Sequence, residues 1–137
     1  AASDVYKRQI EDLGVVTPNA TTPVRRLSGG NVQKVLVGRE IASAPTVLMA
    51  AYPVRGLDIN SSYLIYHLLN QQKEKGVAVI YVGEDLDVLL ELCDRILVLD
   101  QGKIVEDGTY DELIASDGFF AELVARQRLD DVPDAAL

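Results

Sequence analysis

The sequence predicts an α/β fold with a mainly parallel sheet, and three observations carry that prediction. A glycine pair at 29–30 opens a helix with apolar residues at helical spacing. Two short, branched apolar runs, 47–50 and 77–82, flank an amphipathic stretch at 59–75. The dipeptide Gln101-Gly102 joins two further short runs as a tight turn would. Strand, crossover helix and strand in that order make a βαβ unit, whose strands in a parallel sheet are expected to be buried on both faces.

The elements follow along the chain. Residues 5–13 read as a short helix and 17–23 as a polar, turn-rich connection. Residues 31–42 form a helix because Val32, Val35, Leu36 and Ile41 recur at its period. After the βαβ unit, 85–93 reads as a helix. Residues 95–99 and 103–106 form an antiparallel edge hairpin, and 109–115 and 119–127 close the chain as helices. Residues 129–137, with Asp130, Asp131 and Asp134, read as an acidic, solvated tail. The string Ser3 to Gln9 resembles translated adapter sequence, so the natural chain is expected to diverge from this one near Ile10.

Composition narrows the function. A formal net charge of −8 over 137 residues opposes binding to a phosphate backbone, so no nucleic-acid partner is expected. No apolar run approaches the roughly 18 residues of a membrane span, and the polar start carries no secretory signal, which makes the cytoplasm the default location. Cys93 reads as a structural thiol, since no base pairs with it. His67 reads as a surface or packing histidine, since no second metal ligand stands near it, and no metal site is expected.

The most informative string is Leu27-Ser28-Gly29-Gly30-Asn31-Val32-Gln33-Lys34. Backbone N–H groups at a helix start lack intrahelical partners and sit at the positive end of the helix dipole, so an oxyanion is stabilised there, and glycine allows close approach. Arg25, Arg26, Lys34 and Arg39 concentrate positive charge around the turn. The alternative is an ordinary loop with Ser28 or Asn31 as N-cap.

With strand, Pro53-Val54-Arg55-Gly56-Leu57-Asp58, helix and strand following in order, residues 26–108 resemble the second half of an ATP-binding cassette (ABC) transporter nucleotide-binding domain. The likeness is greatest to the second, degenerate cassette of simple-sugar and nucleoside importer ATPases. Residues 108–113 look more like the end of exporter-type cassettes. The resemblance implies a partial P-loop NTPase three-layer sandwich over residues 1–128. The Walker A portion is missing, since no G-x-x-x-x-G-K-[ST] string occurs. The chain thus reads as a fragment, and loss of the strand that leads into that loop would leave backbone edges and apolar faces exposed.

The resemblance further implies that Leu27, Ser28, Gly29, Gly30 and Asn31 form the signature turn and that Asp58 lies in the D-loop, with an ordinary N-cap the alternative for Asp58. Cassettes of the family pair head to tail, so the turn would complete an ATP site whose phosphate loop belongs to a partner cassette. Ser28 and the amides of Gly30 and Asn31 would donate to the γ-phosphate, and Mg2+ would sit at the partner's site.

Ala51 and Tyr52 stand where the family has a metal-holding aspartate and a water-activating glutamate, and Glu84 stands where it has a switch histidine. Alanine offers a cation no oxygen and tyrosine is a poor proton acceptor near neutrality, so the cassette's own site is expected to be degenerate, with no catalytic residue in this chain. The implied partners are a second cassette, transmembrane permease subunits and, for an importer, an extracytoplasmic solute-binding protein, with the ATPase peripheral on the inner membrane face. A degenerate cassette serving as a structural or regulatory module is the alternative.

Overall fold

A computed structural model describes Lys7 and residues 10–83 and 85–130. The chain divides into two compact units, Ala1–Gly83 and Glu84–Leu137.

In the first unit, residues 10–12 are helical, and the earlier part of the expected 5–13 helix lies outside the described residues apart from Lys7. A short 3-10 turn, Val24–Arg26, precedes helix α1, Gly29–Ala42. Strand β1 is Val47–Ala51, helix α2 is Ile59–Glu74 and strand β2 is Ala78–Val82. The strands pair in parallel with Val47 opposite Ala78 and Ala51 opposite Val82, which is the expected βαβ crossover. Asp58 starts α2 by accepting the Ser61 amide. Gly76 ends the turn beyond α2 at φ 85°, a left-handed conformation that favours glycine. Its neighbour Val77 then donates back to the Gln72 carbonyl at 3.0 Å.

The core of this unit is Leu48, Ile65 and Leu69, with Val37 and Ile41 of α1 and Val54 and Leu57 of the β1–α2 loop packed against it. Ile65 is fully buried, and each such aliphatic side chain contributes about 1.5–3 kcal/mol. Only one face of the β1–β2 pair is covered. Leu48, Ala50, Val79 and Tyr81 point to the core, whereas Val47, Met49, Ala51, Ala78, Ile80 and Val82 on the opposite face are all exposed. Met49 is 68% exposed. The expectation that both strands are buried on both faces is therefore corrected: α1 and α2 pack on the same side, and strict alternation turns every second residue to the bare side.

The second unit begins with helix α3, Leu86–Leu92, capped by Asp85, and continues with strands β3, Ile96–Asp100, and β4, Lys103–Gly108. These pair antiparallel as expected. Gln101 and Gly102 both have positive φ, 48° and 77°, the requirement of a two-residue hairpin turn whose twist matches the strands. Helix α4, Tyr110–Ala115, follows a Thr109–Glu112 capping box, and α5, Phe119–Asp130, runs past the expected end at Gln127. Residues 131–137 of the anticipated tail lie outside the described residues. Ile96, Val98, Leu113, Phe120 and Val124 form the core, with Cys93 half-buried beside it, in keeping with its structural reading. Tyr110 meets Phe120 edge to face at 6.1 Å.

Two polar contacts organise this unit. The Phe120 amide, in the first turn of α5, donates to Glu106 Oε2 at 2.7 Å. Arg95 grips Asp107 bidentately, Nε to Oδ1 at 2.6 Å and Nη2 to Oδ2 at 2.9 Å, which holds the Asp107 carboxyl below the usual carboxylate range. The Thr109 amide does the same for Glu112. A carboxylate with a depressed folded-state pKa stabilises the fold above its ordinary titration range, and that stability drains away as pH falls through the folded-state value. Thermal unfolding followed from about pH 6 to about pH 3 should show a falling midpoint, and Asp107→Asn should make the fall shallower.

Gly38 supplies a second test. A Cβ there would collide with the side chain of Leu13, which is buried. Alanine improves helix propensity by about 1 kcal/mol, but overpacking a buried contact costs about 1–3 kcal/mol. Gly38→Ala should therefore lower stability in chemical denaturation, and a gain would mean that Leu13 moves aside.

Candidate nucleotide-phosphate site

The turn at residues 27–31 takes its shape from its own side chains. Ser28 is the N-cap of α1 with extended backbone, φ −64° and ψ 158°. Its carbonyl accepts the Val32 amide at 2.9 Å, and its Oγ accepts both the Asn31 amide at 3.4 Å and Asn31 Nδ2 at 3.0 Å. The Ser28 hydroxyl thus keeps its single proton to donate. Nothing lies within 4 Å of where a Cβ on Gly29 would stand, so the backbone is open to close approach, whereas a Cβ on Gly30 would meet Leu57 Cδ2 at 3.1 Å. Leu27, half-buried, closes the preceding 3-10 turn by donating to the Val24 carbonyl.

Asn31 does more than cap. Its Oδ1 accepts the Val16 amide at 3.0 Å and its Nδ2 donates to the Val16 carbonyl at 3.1 Å, which staples residue 16 to the turn. With its amide and side chain both engaged, Asn31 supports the turn, and Ser28 and the first-turn glycines remain the groups suited to face an anion. The basic cluster is also smaller than the sequence suggested. Lys34 Nζ donates to the Gly14 carbonyl at 3.2 Å and Arg39 pairs with Glu40, leaving Arg25 and Arg26 as the exposed cations just before the turn.

Asp58 caps α2, its Oδ1 accepting the Ser61 amide at 2.9 Å and its Oδ2 the Ser61 hydroxyl at 2.7 Å. These bonds, first the hydroxyl and then the amide, hold its carboxyl below the usual range, with a smaller contribution from Lys34. The loop before it lies on α1. Gln33 Nε2 donates to the Arg55 carbonyl at 3.2 Å and Leu57 rests beside Gly30. The sequence reading passed over Gln33. The signal available was spacing, since Gly30, Gln33 and Lys34 fall three and four apart on one helix face.

Ala51 ends β1 on the exposed side, and Tyr52 follows at φ 49°, a left-handed conformation that costs a non-glycine residue about 1–2 kcal/mol, with its amide held by the Val82 carbonyl at 2.8 Å. Glu84 lies outside the described residues. Among the described residues no group of three or more His, Cys, Asp or Glu side chains could hold a metal. His67 on α2 meets Gln71, its Nε2 2.9 Å from the amide nitrogen. The turn therefore fits the phosphate of a nucleotide, by its open backbone at Gly29 and the Ser28 hydroxyl. Positions 51 and 52 do not fit a magnesium ion, because neither side chain offers a carboxylate.

Over 111 residues the chain is 42% identical to the xylose import ATP-binding protein of Photobacterium profundum, an alignment covering 81% of this chain and 22% of that protein. It is 38% identical to the ribose import ATP-binding protein of Oceanobacillus iheyensis, over 74% of this chain and 20% of the relative. This chain belongs to the ATP-binding cassette ATPase family. A guanosine import ATP-binding protein of Bacillus subtilis is 39% identical over 74% of this chain and 21% of its own length.

The chain spans about a fifth of the length of these ABC relatives. The dimeric ABC transporter cassette MJ0796 superposes with a TM-score of 0.68 at 25% identity, over 77% of this chain and 46% of that one. A bacterial Atm1-family ABC exporter with ATP bound superposes at 0.74 with 26% identity, over 99% of this chain and 23% of that one. No family model matches the chain. No described helix is long and apolar enough to cross a membrane.

Proposed function

We propose that this ABC segment supplies its signature turn, Leu27 to Asn31, to an ATP site whose phosphate loop belongs to a partner cassette, within an ATPase that drives import of a sugar or nucleoside. The observation that carries the reading is the division between the two halves of its own chemistry. The turn is built and open at Gly29, while Ala51 and Tyr52 offer neither a metal ligand nor a carboxylate base. A turn that serves a site elsewhere has no need of those two groups.

The relatives named for xylose, ribose and guanosine import support the substrate class, and the dimeric cassette among the structural neighbours supports a partner cassette. The expected assembly is a second cassette, membrane permease subunits and an extracytoplasmic binding protein, with the ATPase on the inner face of the membrane. The structured part would belong to the cassette, with residues 131–137 as a tail beyond α5.

In this reading the Ser28 hydroxyl and the first-turn amides donate to the γ-phosphate of ATP held by the partner, aided by the positive end of α1. ATP supplies the transferable phosphoryl group. The chain's own residues orient and neutralise it, and Asp58 keeps its loop in register through the α2 cap. Replacing Ser28 with arginine in the full-length ATPase, assembled with its membrane subunits, should lower ATP turnover by about two orders of magnitude or more, since the side chain fills the phosphate position. Unchanged turnover would overturn the assignment. Tyr52→Phe should leave turnover within about twofold of wild type, because no proton is moved at that position.

A further inference from the structure

The geometry points to Gln33 as the positioning residue that locks the loop before Asp58 to the signature turn, so that the two act as one rigid element. The inference rests on the proposed function and adds to it the residue that couples its two parts.

Three observations within the first unit converge on this coupling. Gln33 Nε2 donates to the Arg55 carbonyl at 3.2 Å, a bond spanning 22 residues of sequence. One turn earlier on the same helix face, Gly30 leaves room for Leu57, whose Cδ2 would stand 3.1 Å from any Cβ there. Leu57 and Val54 in turn pack against the core of Leu48, Ile65 and Leu69. The loop is thus held by an apolar contact at one end and by a single side-chain donor in its middle.

The other end of the Gln33 amide sharpens the inference. Its Oε1 is buried and meets no hydrogen-bond donor among the described residues. An apolar side chain of the same length would fill that space but could not donate to the Arg55 carbonyl. The donor is what the position requires. A methionine at 33 should consequently be tolerated by the fold and be damaging to the function, the reverse of what a packing role predicts.

The test uses the full-length ATPase with its membrane subunits and measures kcat, KM for ATP and the thermal midpoint for Gln33→Met, Gln33→Lys and Ser28→Arg. Gln33→Met removes the donor at nearly constant volume. Turnover should fall about five- to tenfold with KM changed less than about twofold and the midpoint unchanged or raised. Gln33→Lys restores a donor without the orphan acceptor, and its kcat should recover to within about twofold of wild type. Wild-type kcat for Gln33→Met, or loss in Gln33→Lys equal to that in Gln33→Met, would overturn the coupling. Should Gln33→Met fail to fold, Gln33→Lys decides alone, near-normal kcat supporting the coupling and loss of kcat overturning it. Normal turnover in Ser28→Arg would instead remove the functional reading on which the inference stands.

Discussion

The docking of the 52–58 loop onto the first turns of α1 is the constraint on which the first unit depends. Through Gln33 and the Arg55 carbonyl, and through Leu57 against Gly30, the helix that begins at the 27–31 turn also fixes the start of α2. Asn31 and Lys34 extend the same helix face in the other direction, holding residues 16 and 14. One short helical segment therefore gathers two separate stretches of chain, residues 14–16 and 55–57. Its side chains are spent on this scaffolding, which in the proposed function leaves Ser28 and the glycines to face the anion.

In the proposed function, that division of labour is what a cassette contributing half of a shared site requires. Binding an oxyanion at a helix start requires backbone donors and space, both of which a glycine-bearing first turn provides without any charged side chain. Hydrolysis requires a metal-holding carboxylate and a base, and Ala51 and Tyr52 provide neither. The left-handed Tyr52 carries conformational strain at the end of β1 with no catalytic group to show for it. The bare face of the β1–β2 pair, with Met49 and Val47 uncovered, is the other consequence of this local architecture, since both helices of the unit pack on one side.

Much of this was legible in the sequence because it rests on local rules. The start of α1 was legible from Ser28 and two glycines before a helical period. The βαβ unit followed from two branched runs around an amphipathic stretch, and the hairpin from Gln101-Gly102. What sequence reading missed depends on contacts between distant residues. That Asn31 clasps Val16, that Lys34 is committed to Gly14, and that Gln33 reaches Arg55 are facts of three-dimensional proximity: the spacing of Gly30, Gln33 and Lys34 shows a shared helix face but not which distant residue meets it. The one-sided burial of β1 and β2 was misjudged for a related reason. An apolar run shows what a strand tolerates on each face, and only the placement of the helices shows which face is covered.

The central claim is that residues 27–31 touch the terminal phosphate of a nucleotide bound mainly by another cassette. The most direct measurement is photo-crosslinking of the assembled ATPase with an ATP analogue carrying its reactive group on the γ-phosphate, followed by peptide mapping. The account predicts label on the peptide containing Ser28, and none there when the partner's phosphate loop is disabled. Label absent from this peptide in an assembly that hydrolyses ATP, or label that persists without the partner's loop, would contradict it.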